Sequence, residues 1–142
     1  MRKILVVGGK NTYRSLIVSE YLKKALKDKA KTETEVLSGG IMAFSGIPIE
    51  PEAAVCLAKA GITGEFTSSP LGKQAVLDAD LILTMSEKIK NAILGKFPDI
   101  RGKVFTFSYF FSGNETEMSA SPGFMEAAAA MIDADLDRLF SI

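Results

Sequence analysis

Lys3-Ile4-Leu5-Val6-Val7-Gly8-Gly9-Lys10-Asn11-Thr12-Tyr13-Arg14-Ser15 is the stretch that decides the fold of this chain. A short apolar run ends in paired glycines. The chain then enters a segment in which Ile17, Val18, Tyr21, Leu22, Ala25 and Leu26 recur at helical spacing. Strand, glycine-rich turn, helix N-terminus and an arginine six residues after the first glycine make the layout of an anion site. Unpaired amides at a helix start face the ligand, and the helix dipole favours negative charge there. Gly8 is the telling position. It opens the turn with no side chain at all.

Outward from the loop, β-rich runs and helical stretches alternate, the pattern of an α/β sandwich with a parallel sheet. Lys3–Val7 reads as the first strand and Glu33–Leu37 as the second. A loop with Gly39, Gly40, Gly46 and Pro48 follows, and Pro51 suits the first turn of a helix that stops before Gly61. Leu81–Met85 reads as a buried strand, and Ser86 as the cap of a helix carrying Ile89, Ile93 and Leu94. Phe97-Pro98-Asp99 breaks that helix, and Lys103–Phe107 is the fourth strand. Phe124, Ala128, Met131, Ile132, Leu136, Leu139 and Phe140 mark a C-terminal helix. The expectation is one three-layer α/β domain over residues 1–142. Its four-stranded parallel sheet has order 2-1-3-4, helices on both faces and a phosphate loop after strand 1. Right-handed crossovers then put the topological switch beside strand 1, where ligands bind in such sheets.

Composition removes several alternatives. The 142 residues carry 17 basic and 17 acidic side chains, which argues against nucleic acid held by bulk charge. No apolar run reaches bilayer length, and Met1-Arg2-Lys3 leads into a strand rather than a signal sequence, so the expected setting is the cytoplasm, with no membrane. One cysteine, Cys56, excludes an intrachain disulfide, and its place in Ala53–Ala58 reads as a buried helix position remote from the loop. Histidine is absent, which excludes Ser-His and Cys-His couples and the usual zinc ligand sets. No metal and no cofactor are expected.

The chain resembles the low-molecular-weight protein tyrosine phosphatases, which share their fold with some arsenate reductases. The resemblance is carried by the first strand with Asn11-Thr12, Arg14-Ser15 and Glu20, and by Ser38-Gly39-Gly40. Leu57–Ile62, Ala79–Leu83 with Met85, and Phe97–Val104 add to it in matching order. The family loop is a cysteine, five residues, an arginine, then Ser or Thr. By resemblance the arginine is Arg14 and the next residue Ser15, while the nucleophilic cysteine falls on Gly8. A second family cysteine falls on Tyr13. The general-acid aspartate before a proline falls on Ser121, ahead of Pro122. The histidine or arginine often found in a later loop is missing around Phe66–Ser69.

The resemblance implies a phosphocysteine mechanism that these losses disable. Glycine cannot attack phosphorus, and an ordinary alcohol at residue 121 is a poor proton donor for a phenolate. Anion binding survives: Gly9, Lys10, Asn11, Thr12, Tyr13, Arg14 and Ser15 are the candidate ligands, with Arg14 able to grip phosphate bidentately. Tyr13 is the one bulky side chain that contests the pocket. The leading expectation is a catalytically inactive family member that binds phosphate, sulfate or a phosphorylated ligand, including a phosphotyrosine protein. The alternatives are an active phosphatase with another nucleophile, and a structural or oligomerisation module without ligand.

Other features take plainer readings. The third glycine of a dinucleotide fingerprint is replaced by Tyr13, and Lys10 comes too early for a Walker loop. Asn11 reads as a loop organiser working through Ser38, and Ser121 as the cap of the last helix. Asp133, Asp135 and Asp137 alternate along a helix and read as a solvated face rather than a metal cluster. Tyr109-Phe110-Phe111 reads as core in preference to a partner patch.

Overall fold

The computed structural model describes residues 2–140. β1 (Arg2–Gly8) is the inner strand on which the rest is built: Ile4 through Val7 are buried without alternation, as a parallel strand covered on both faces must be. β2 (Thr34–Gly40) and β3 (Leu81–Thr84) pair with it on either side, and β4 (Val104–Thr106) pairs with β3. All pairings are parallel and the order is β2-β1-β3-β4, as expected from right-handed crossovers.

α1 (Arg14–Asp28) lays Ile17, Val18, Leu22 and Leu26 against β1 and β2. α2 (Pro51–Lys59), α5 (Phe107–Ser112) and α6 (Pro122–Asp135) join it on that side, with α6 touching all three. α3 (Lys73–Asp78) and α4 (Glu87–Lys96) pack on the strands separately. Every residue of β3 is buried, so the two groups of helices sandwich the sheet. Ser86 caps α4 as expected, its hydroxyl accepting from the Ile89 N–H at 3.2 Å.

Element boundaries differ from the sequence expectation where side chains were small or helices short. β2 does not end at Leu37 but runs on through Gly40, because Ser38, Gly39 and Gly40 stand in register with Val6, Val7 and Gly8. Glycine there is required by close approach rather than by a turn. A Cβ on Gly40 would strike the Gly9 carbonyl oxygen and come within 2.9 Å of the Ala43 Cβ. β3 stops at Thr84, and β4 is shorter than Lys103–Phe107, squeezed between a 3-10 turn over Pro98–Lys103 and a helix capped by Thr106. α3 and α5 were unexpected, being too short to show a helical period. The C-terminal helix changes at Leu136 to a 3-10 turn reaching Phe140. Phe110 and Phe111 join the core, with ring centroids 5.1 Å apart, while Tyr109 stays exposed.

Candidate functional site

The loop after β1 is held by its carbonyls. The Ile41 N–H donates to the Gly8 oxygen at 3.0 Å and the Met42 N–H to the Gly9 oxygen at 2.9 Å. The Glu50 N–H reaches the Thr12 oxygen and the Ile17 N–H the Tyr13 oxygen, both at 3.0 Å. The amides are the other half of the account. Among the described residues, no N–H from Gly9 through Ser15 donates to another protein group. Asn11, at φ 61, supplies the left-handed residue that curls consecutive amides into an anion nest. α1 adds an N-terminus with no side-chain cap and no acid in its first turn.

Asn11 organises this loop, though not through Ser38. Its Nδ2 donates to the Ser15 Oγ at 2.8 Å, and its Oδ1 accepts from the Ser69 N–H at 2.9 Å. The correction has a simple cause: Ser38 lies within the paired strand, whereas the segment after Phe66 passes over the loop. Arg14 donates from Nη1 to the Met118 carbonyl at 2.8 Å, which fixes the guanidinium and leaves the rest of its planar fork for a ligand. Gly8 through Ser15 together line a cavity of about 250 Å³, closed by Met42, Glu50, Met85 and Ala120. A larger hollow of about 810 Å³, at Arg2, Lys31, Glu33, Asp80 and Phe140, lies where the strands begin and gathers none of the loop amides.

The floor of the cavity is shaped by the missing side chain. A Cβ on Gly8 would stand 2.7 Å from the Ser15 Oγ and 2.9 Å from the Ser15 Cβ. Ser15 therefore occupies the volume that a side chain at residue 8 would need. Tyr13, the bulky side chain that contested the pocket, turns away from it: its ring joins the core at 7 % exposure and its hydroxyl donates to Glu52 of α2. Burial and the Glu52 carboxylate push that phenol well above its ordinary range.

Three other expectations need correction or refinement. Ser121 holds the cap position of α6 in an extended conformation, but its side chain makes no capping bond. It lines a separate hollow with Met118, Ser119 and Gly123, and Ala120 is the residue at the Gly8–Ser15 cavity. Cys56 is half-buried, not deeply buried, and not remote. α2 packs against α1 and α6, which brings the thiol to 3.9 Å from the Pro122 carbonyl and near enough to Tyr13 to raise its phenol. Asp133 and Asp135 behave as a solvated face, Asp133 accepting from the Tyr21 hydroxyl and Asp135 facing Arg138 at 3.8 Å. Burial and Asp133 push the Tyr21 phenol up to about 12.

Sequence reasoning missed Met42, Glu50, Ser69 and Met118. The paired glycines at the tip of β2 and the residue before Pro51 were usable signals for the first two. Nothing local pointed to Ser69 or Met118, whose contributions are backbone groups brought in from distant segments.

A parallel sheet of this order, with an arginine-bearing loop lining a cavity at the switch point, defines a doubly wound α/β protein with its ligand crevice beside β1. The profile of the family described as low molecular weight phosphotyrosine protein phosphatase matches residues 3–122, and the chain belongs to that family. It is 30% identical over 141 residues to a protein-arginine-phosphatase of Geobacillus stearothermophilus, covering 96% of this chain and 93% of the relative. It is 36% identical over 106 residues to a probable low molecular weight protein-tyrosine-phosphatase, EpsP, of Ralstonia solanacearum, covering 74% and 70%. Among solved structures, a cysteine-to-serine mutant of YwlE arginine phosphatase with a phosphorylated active-site serine superposes with a TM-score of 0.83 at 25% identity, covering 98% of this chain and 93% of that one. Among the described residues no helix is long and apolar enough to cross a membrane.

Proposed function

We propose that this protein binds a phosphorylated ligand in the Gly8–Ser15 loop without turning it over through the cysteine route of its family. The observation that carries this reading is the pairing of a floor glycine with seven consecutive amides, Gly9 through Ser15, that have no protein acceptor among the described residues. Gly9, Lys10, Asn11, Thr12, Tyr13, Arg14 and Ser15 form the anion cradle, with no thiolate at Gly8 and no acid at Ser121. Its setting is the cytoplasm, in keeping with a lone free cysteine.

Glu50 bears on what carries the phosphate. Its carboxylate lines the cavity and accepts from the Thr12 hydroxyl at 3.2 Å. A carboxylate at the mouth accepts N–H donors and offers nothing to a phenyl ring. This favours phosphorylated arginine, the group acted on by relatives named protein-arginine-phosphatases, over phosphotyrosine.

The test is titration with inorganic phosphate, then with phosphoarginine and phosphotyrosine peptides, followed on the amide resonances of residues 9–15. Shifts confined to the loop are expected, larger for phosphoarginine, with Glu50→Gln narrowing the difference. Silent amides would favour a ligand-free structural module. Sustained turnover of an aryl phosphate, abolished by Arg14→Ala, would favour an active phosphatase with another nucleophile.

A further inference from the structure

Ser15 is buried to 2 % exposure at the floor of the cavity, in the volume that a side chain on Gly8 would fill. Its oxygen accepts from Asn11, which orients it, while its own proton has no acceptor among the described residues. Ser15 lines the same cavity as the loop amides, and its oxygen stands 2.7 Å from where a Cβ on Gly8 would be, so a phosphoryl group held by those amides lies on the side of the loop that Ser15 serves. Arg14 and the residues of the amide loop line that cavity too, a set of donors suited to the charge on phosphoryl oxygens. Because phosphoryl transfer has a loose transition state, positioning and charge stabilisation weigh more than activation of the nucleophile.

We infer that Ser15 is a phosphoryl acceptor that takes the group from a phosphoramidate ligand and keeps it, making the protein a single-use trap. The inference rests on the reading that the loop binds a phosphorylated side chain. The Ser15 oxygen forms a bond to phosphorus as the P–N bond to the guanidino nitrogen breaks. The electron pair leaves with nitrogen, and the hydroxyl proton ends on that nitrogen, releasing arginine and leaving phosphoserine. No redox partner is needed. Reversal is unfavourable because a phosphoramidate is a better donor than an alkyl phosphate. Hydrolysis is slow because histidine is absent, residue 121 carries no acid, and the Glu50 carboxylate is bonded by the Thr12 hydroxyl at the mouth, away from the buried Ser15. The phosphoryl group then remains in the amide nest that held it as ligand.

Intact-mass measurement of the full chain after incubation with a phosphoarginine peptide tests this. The expected result is the mass of one added phosphoryl group per chain, mapped by fragmentation to Ser15, with phosphotyrosine peptide giving far less. Ser15→Ala is expected to show no addition. Gly8→Ala, whose new Cβ evicts the Ser15 hydroxyl, is expected to reduce it strongly while the protein stays folded by circular dichroism. Loop resonances that shift with inorganic phosphate while no mass is added would overturn the trap and leave the binding reading intact. Absence of both effects would overturn both. Addition at any other residue would also overturn the assignment to Ser15.

Discussion

Asn11 combines two constraints that few side chains satisfy: a left-handed backbone and a buried carboxamide bonded at both ends, to Ser15 and to Ser69. Asn11→Ala puts a left-handed backbone on alanine and removes both carboxamide bonds, to the buried Ser15 oxygen and to the Ser69 N–H, so a loss of about 1 to 2 kcal/mol is expected in urea unfolding, with weaker phosphate binding. Gly40→Ala drives a methyl into the Gly9 carbonyl and should cost about 1 to 3 kcal/mol by the same measurement. In the proposed phosphate cradle, Arg14→Ala removes the guanidinium that a phosphate would meet as a charge-assisted partner. Its phosphate affinity is expected to fall by about tenfold or more, with Arg14→Lys recovering only part, as read by calorimetry. Restoring chemistry is harder than the sequence suggests. Gly8→Cys places its Cβ against Ser15, and Ser121 stands off the cavity. The double variant with Ser121→Asp should therefore hydrolyse an aryl phosphate poorly until Ser15 is also made smaller, a ranking that steady-state rates will check.

Elements were legible in proportion to their length and amphipathicity. α1 and the strands of the buried sheet announced themselves through apolar periodicity, and the cap at Ser86 through its chemistry. Ser86→Ala is expected to lower stability by about 1 kcal/mol, measured by the urea midpoint at unchanged slope. α3 and α5 have six residues each, too few to display a period, so their sequences carry no helical signal. The tip of β2 was misread for a different reason. Glycine is a poor strand former, and only the approach of the loop explains why three small residues belong there. The candidate site divides the same way. Its loop was readable because chain neighbours build it, whereas Ser69 and Met118 act through backbone atoms that carry no sequence signature.

For the whole molecule, two tyrosines tie helices together: Tyr13 joins the start of α1 to α2, and Tyr21 joins α1 to α6. Both phenols are held above the ordinary value of 10.0, so the folded state retains their protons where the unfolded chain has lost them. Stability is then fully present below that value and declines as pH rises through it toward 12, where Tyr21 titrates in the fold. Unfolding free energies at neutral and alkaline pH should show this decline, with Tyr13→Phe reducing it. The bond from Arg14 to the Met118 carbonyl has a consequence of another kind. It runs from the cavity to an exposed stretch without helix or strand, residues 113–121. By reciprocity, an anion that steadies the guanidinium also steadies that stretch, and a cut in the stretch loosens the grip on the anion. The susceptibility of residues 113–121 to a protease thus becomes a gauge of occupancy. Phosphate should slow cleavage there, and Arg14→Ala should remove the protection.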